Sequence, residues 1–126
     1  MADVIVRGQS TDGAIRIFVA VTTDLVNAAQ KTHNTFPVAT AALGRTLTAC
    51  AMMGQALKNE TDSITVQFRG DGPLGNMVAI TDYKSRVRGY VVNPFVDLPL
   101  NSKGKLNVGG AVGHGFLNVI YDLSMK

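Results

Sequence analysis

Val38 to Leu57 reads VATAALGRTLTACAMMGQAL, a run with apolar or small side chains on every side of a helix. A surface helix carries a single apolar stripe, so hydrophobicity all round implies burial, either inside a layered domain or in a bilayer. Arg45 near the centre argues against the bilayer, where it would cost roughly 2.5 to 3.5 kcal/mol on insertion scales. Thr46, Thr48 and Gln55 point the same way. The run is therefore expected to be a core helix. Its small residues, among them Ala39, Ala42, Gly44, Ala49 and Gly54, are spread over all faces and would let other elements approach on more than one side. Each glycine weakens a helix interior by about 1 kcal/mol relative to alanine, a loss that close packing can offset. Arg45 needs a carboxylate or several carbonyls if it is buried; alternatively, it reaches along the helix to its edge.

On the N-terminal side, Val4 to Arg7 and Ala14 to Val21 are rich in β-branched residues and flank GQSTDG, a turn sequence, so a hairpin is predicted over 4–21. Ile15, Ile17, Val19 and Val21 share a face opposite Arg16, Phe18 and Ala20, and the aliphatic face is expected to meet the core. Thr22 or Thr23 can cap a short helix to about His33. Pro37 then suits the first turn of the long helix, which Lys58 and Asn59 are expected to close, the Asn in a left-handed conformation.

Beyond it, Ser63 to Arg69 alternates with Ile64, Val66 and Phe68 on one face, and Asn76 to Asp82 reads as its partner across a glycine-rich connection. Val87 to Val92 is a third strand and Phe116 to Tyr121 a last one. The stretch 93–108, with Pro94 and Pro99, is predicted to be mostly loop. The chain stops three residues after Leu123, which suggests a domain cut short.

At 126 residues the chain is of single-domain size, and its net charge of +3 is too weak to announce nucleic acid. A single cysteine, Cys50, excludes an internal disulfide or a multi-cysteine metal site. Nothing resembles a secretory signal, and a cytoplasmic protein is expected.

Gly70-Asp71-Gly72-Pro73-Leu74-Gly75 satisfies the G-x-G-x-x-G spacing, but the dinucleotide fingerprint needs a following helix. Here Pro73 and a strand-like segment follow, so Gly70, Gly72 and Pro73 read as structural. His33 and His114 have no nucleophile or metal partners in any recognisable pattern, and Cys50 reads as an inert core thiol. No enzyme chemistry emerges. Lys84, Arg86 and Arg88 would share a face of an extended segment and could meet phosphates, making a small nucleic-acid-binding module the alternative; they lack the interleaved aromatics of single-strand binders.

Four segments carry a closer likeness: TTDLVNAAQKTHNTFPVATAALGRTLTACAMMGQALK (Thr22 to Lys58), ITVQFRGDGPLGNMVAI (Ile64 to Ile80), VRGYVVNP (Val87 to Pro94) and KLNVGGAVGHGFLNVIYDL (Lys105 to Leu123). In this order and spacing the chain resembles the N-terminal domain of the bacterial redox-regulated holdase chaperones, the thirty-three-kilodalton heat-shock proteins. The resemblance implies an α+β fold of three layers, β/α/β, with a helix over about 37–58 buried between sheets. Residues 1–126 would then be an N-terminal substrate-binding domain, truncated before its end. It implies an ATP-independent chaperone that holds unfolding client proteins under oxidative and heat stress, forms homodimers, and uses neither nucleic acid nor membrane as partner. Full-length members carry a C-terminal zinc module whose cysteines act as the redox switch. That module and its linker are absent from this sequence, so no metal or cofactor is expected here. The candidate client surface is the sheet face around Ile64, Val66, Phe68, Met77 and Ala79, or the opposite face.

Overall fold

A computed structural model describes residues 2–124. A hairpin of β1 (Val4–Gln9) and β2 (Arg16–Val21) leads into α1 (Thr23–His33) and the long α2 (Pro37–Gly54). Then come β3 (Ser63–Gly70), β4 (Met77–Asp82), β5 (Val87–Val91), a short α3 (Val108–Val112) and β6 (Gly115–Asp122). The hairpin is a two-stranded sheet, and the later strands form a four-stranded antiparallel sheet in the order β5-β4-β3-β6. The α+β architecture is as expected, with α2 packed on the four-stranded sheet on one side and on α1 and β2 on another.

A small residue sets the contact of α2 with α1, and larger ones fill its contact with the sheet. A Cβ on Gly44 would lie 2.9 Å from Val26 Cγ1 of α1, so glycine sets the helix separation there. Leu43, Leu47 and Cys50 are buried beside the Ile64, Met77 and Ala79 side of the sheet. The helix ends earlier than expected. At Gly54 it runs into the β4–β5 turn, where a Cβ would stand 2.7 Å from Thr81 Oγ1 and 2.8 Å from the Asp82 carbonyl. The N–H groups of Gln55, Ala56 and Leu57 then donate to the carbonyls three residues back, tightening the exit to a 3₁₀-like turn. Lys58 is thus outside the helix, and the left-handed asparagine is Asn34 at the end of α1 (φ 53°) rather than Asn59.

Two further expectations are corrected. Thr22 makes no side-chain cap on α1, because its hydroxyl bonds that of Thr48 at 2.7 Å. The Phe18, Ala20 and Thr22 side of β2 is the less exposed one and faces α2, while Ile15, Ile17 and Val19 face solvent instead of the core. The stretch 93–107 is loop, as expected, and it leads into the short helix Val108–Val112, where the Asn107 side chain accepts the Gly110 N–H at 3.0 Å.

Candidate functional site

The strand register decides where the expected client surface lies. Ile64 stands opposite Thr81, Val66 opposite Ala79 and Phe68 opposite Met77, and all point to the side on which α2 packs. Ile64, Val66, Met77 and Ala79 are at most 4% exposed beneath α2, and Phe68 is half-buried. The opposite face mixes Thr65, Gln67 and Arg88 with Val78, Ile80 and Tyr90, and β6 adds Phe116 and Ile120 to it.

The exposed apolar surface lies elsewhere. On the hairpin, the pairings Val4–Val21 and Val6–Val19 place their side chains with Ile17 on one outward face, where Ile17 and Val19 are 57% and 59% exposed. Alternation had marked this face as the apolar one; it carried no signal of which way the hairpin would roll. A second surface follows β6, the edge strand beside β3. Its Phe116 is 76% exposed, and Leu117, Ile120 and Tyr121 are also open, so both faces of the strand present apolar groups.

Between β6 and α2 runs a cleft of about 260 Å³ whose floor includes Val66, Phe68 and Met77. Three of the five residues expected to bind clients therefore meet there, at the open margin of the core. Leu117 and Val119 form the β6 wall, Ala49 and Met53 the α2 wall, and Arg45 the rim. Arg45 is exposed, so a buried partner is unnecessary, and its stem extends along the apolar wall.

The glycine-rich connection is locked to the loop before β6. Asp71 N–H donates to the His114 carbonyl (2.8 Å), and His114 N–H donates to Asp71 Oδ1 (2.7 Å). Gly72 and Leu74 N–H donate to the carbonyls of Val112 and Ala111, and a Cβ at Gly70 or Gly72 would strike the Val112 carbonyl. The Pro73 carbonyl accepts Asn93 Nδ2 at 2.8 Å. These backbone groups are committed to the fold, and β4 follows where a phosphate site would need a helix.

The basic triplet is dispersed. β5 begins at Val87, leaving Lys84 in the preceding turn with its Nζ 5.7 Å from the Tyr83 ring centroid. Arg86 is paired with Asp82 at 2.6 Å, which leaves Arg88 as the exposed cation of the strand. Cys50 is buried, and desolvation pushes its thiol up to about 11. Among the described residues, no group of three or more His, Cys, Asp or Glu is placed to hold a metal. A four-cysteine zinc site does not fit a chain whose single thiol lies in the core.

The family model described as Hsp33 protein matches residues 3–126. The 33 kDa chaperonin of Acetivibrio thermocellus is 54% identical over 126 residues, covering 100% of this chain and 43% of the relative. That of Ruminiclostridium cellulolyticum is 52% identical with the same coverage. The crystal structure of the 33 kDa chaperonin (heat shock protein 33 homolog) of Thermotoga maritima superposes with a TM-score of 0.91 at 38% identity. It covers 97% of this chain and 42% of that one. The chain spans about 43% of the length of the curated relatives it matches.

Proposed function

This chain belongs to the Hsp33 family of chaperones, and from that premise we propose that it is the client-binding part of an ATP-independent holdase. It captures unfolding polypeptides by burying their apolar side chains and performs no bond chemistry. The observation that carries this reading is the outward apolar face of the hairpin, where Ile17 and Val19 are more than half exposed. Soluble monomers rarely expose a contiguous apolar patch beyond a few hundred Å², and larger ones mark interaction surfaces. Burial of apolar area at about 25 cal/mol per Å² makes such a surface adhesive without requiring a sequence motif in the client.

In the full-length protein we assign redox control to a zinc module outside this chain, with this domain supplying the surface that oxidation uncovers. Cys50 takes no part, because its buried and protonated thiol is a poor nucleophile. We further assign the full-length protein to the cytoplasm and to a homodimer. No helix among the described residues is long and apolar enough to cross a membrane.

Light scattering from a thermally aggregating client, with and without this chain, tests the reading. Suppression should appear at near-stoichiometric chain, without ATP, and change little with salt. The Ile17→Ser and Val19→Ser substitutions, on the solvent side of the hairpin, should weaken suppression while leaving the circular dichroism spectrum intact. Absence of suppression by the unmodified chain would defeat the claim for this domain.

A further inference from the structure

We propose that the hairpin carries, on the side away from Ile17 and Val19, a binding site for a small phosphate monoester attached to a flat ring. Client capture, on the opposite face, is independent of it. The ladder of β1 and β2 sets Arg7 opposite Phe18 and Gln9 opposite Arg16, so these four side chains share one face with Ile5 and Ala20. Toward the turn end of that face, Arg7, Gly8, Gln9, Arg16, Phe18 and Gln55 line a cavity of about 420 Å³. That volume lies within the roughly 300 to 1,000 Å³ of small-molecule sites. Its walls come from the hairpin and from the exit of α2, and none belongs to the four-stranded sheet that ends in β6.

Charge identifies the occupant. Arg7 and Arg16 are diagonal neighbours across the ladder, about 7 to 8 Å apart, within reach of one another's long side chains. Two like charges at that spacing repel, and no carboxylate lines the cavity to offset them. Among the described residues the one ion pair joins Arg86 to Asp82, elsewhere on the fold. A phosphate monoester, carrying about −1.5 to −2 near pH 7, matches two cations, whereas a single carboxylate matches one. The planar guanidinium fork also suits phosphate oxygens. Phe18 stands opposite Arg7 and two residues from Arg16, and its half-buried ring offers an aromatic surface to the rest of the ligand. Gln55 closes the cavity from the α2 side. Its Nε2 donates to Ser85 Oγ at 2.7 Å, and Ser85 Oγ donates to the Ala51 carbonyl at 2.7 Å. The carboxamide is thus held in place with a second amide hydrogen left for an oxyanion.

Isothermal titration calorimetry with phenyl phosphate, inorganic phosphate and benzoate tests this. Phenyl phosphate should bind one-to-one and about 10-fold or more tightly than benzoate, the scale of one further charge-assisted hydrogen bond. Inorganic phosphate should bind more weakly than phenyl phosphate, because it leaves Phe18 uncovered. Arg7→Gln and Arg16→Gln, at exposed positions, should each weaken phenyl phosphate about 10-fold or more with circular dichroism unchanged. Arg16→Lys, which keeps the charge and loses the fork, should weaken it less. Lys84→Gln removes the same charge outside the cavity and should change nothing. No binding of phenyl phosphate, or equal affinity for benzoate, would overturn the proposal. A loss with Lys84→Gln as large as with Arg16→Gln would also overturn it, by showing attraction to net charge alone. So would binding by this chain that the full-length protein lacks, since the two arginines would then serve a contact within the longer polypeptide.

Discussion

Asp3 and Leu25 are joined across the start of the fold: Asp3 Oδ2 accepts the Leu25 N–H at 2.8 Å, while Oδ1 accepts that of Asp24 at 3.0 Å. Two orphan donors of the α1 N-terminus are thus satisfied from just before β1, and the hairpin is tied to the helix layer at the same point. Replacing a capping residue by alanine costs about 0.5 to 2 kcal/mol. Asp3→Ala should lower the unfolding free energy by an amount in that range, seen as a lower urea midpoint, and Asp3→Asn by less. An unchanged midpoint for Asp3→Ala would mean that water caps this helix equally well.

Gly89 of β5 is a place where strand propensity and packing disagree. A β-branched residue is ordinarily favoured in a strand. Here a Cβ would lie 3.0 Å from Leu47 Cδ2 of α2 and 3.0 Å from the Ala79 Cα, and would press on the Val78 carbonyl. Packing should win, so Gly89→Val is expected to destabilise by roughly 1 to 3 kcal/mol. Gly89→Ala should have the same sign and a smaller size. Thermal melts of the two variants measure both.

Asp62 fastens the end of β6 to the start of β3. Its Oδ1 accepts the Ser124 N–H at 2.7 Å and its Oδ2 accepts the Asn59 N–H at 3.2 Å. The Ser124 N–H above all, and that of Asn59 as well, hold the carboxyl below its ordinary value of 3.8 against the opposing effect of burial. Because the folded-state value is depressed, the stabilisation is fully present above the unfolded carboxylate pKa of about 3.9. It is lost as pH falls through the lower, folded value. Asp62→Asn should reduce the melting temperature near neutrality and flatten its decline between about pH 5 and pH 2. An acid slope equal to that of the unmodified chain would assign the decline to other carboxylates.

Cys50 should be silent in the native state. With its thiol raised to about 11 by desolvation and no exposed surface, it holds almost no accessible thiolate near neutrality. Modification by an aromatic disulfide reagent should proceed at the unfolding rate in buffer and rapidly in denaturant. Fast labelling of the folded chain would show that the α2–β3 contact opens.

The residues of α2 by themselves determined that it would be a core helix beginning at Pro37, since a run of small and apolar groups on all sides has no stable place in water. Period-two alternation likewise set which residues of β3 and β4 share a face, and the proline after the G-x-G spacing excluded a phosphate loop. The family likeness was legible in the same segments. Tertiary structure alone decided which face was covered. Ile64 and Ile17 sit in equally regular alternations, yet one is core and the other faces solvent. The difference comes from partners distant in sequence: α2 lies on the Ile64 face, while in the hairpin it is the opposite side of β2 that meets α2 and Ile17 is left outward. Contact with the β4–β5 turn similarly ended α2 at Gly54. The cleft beside β6 gathers walls from α2, β3, β4 and β6. Periodicity reports which side chains are apolar along one element, whereas burial depends on what another element brings to that face.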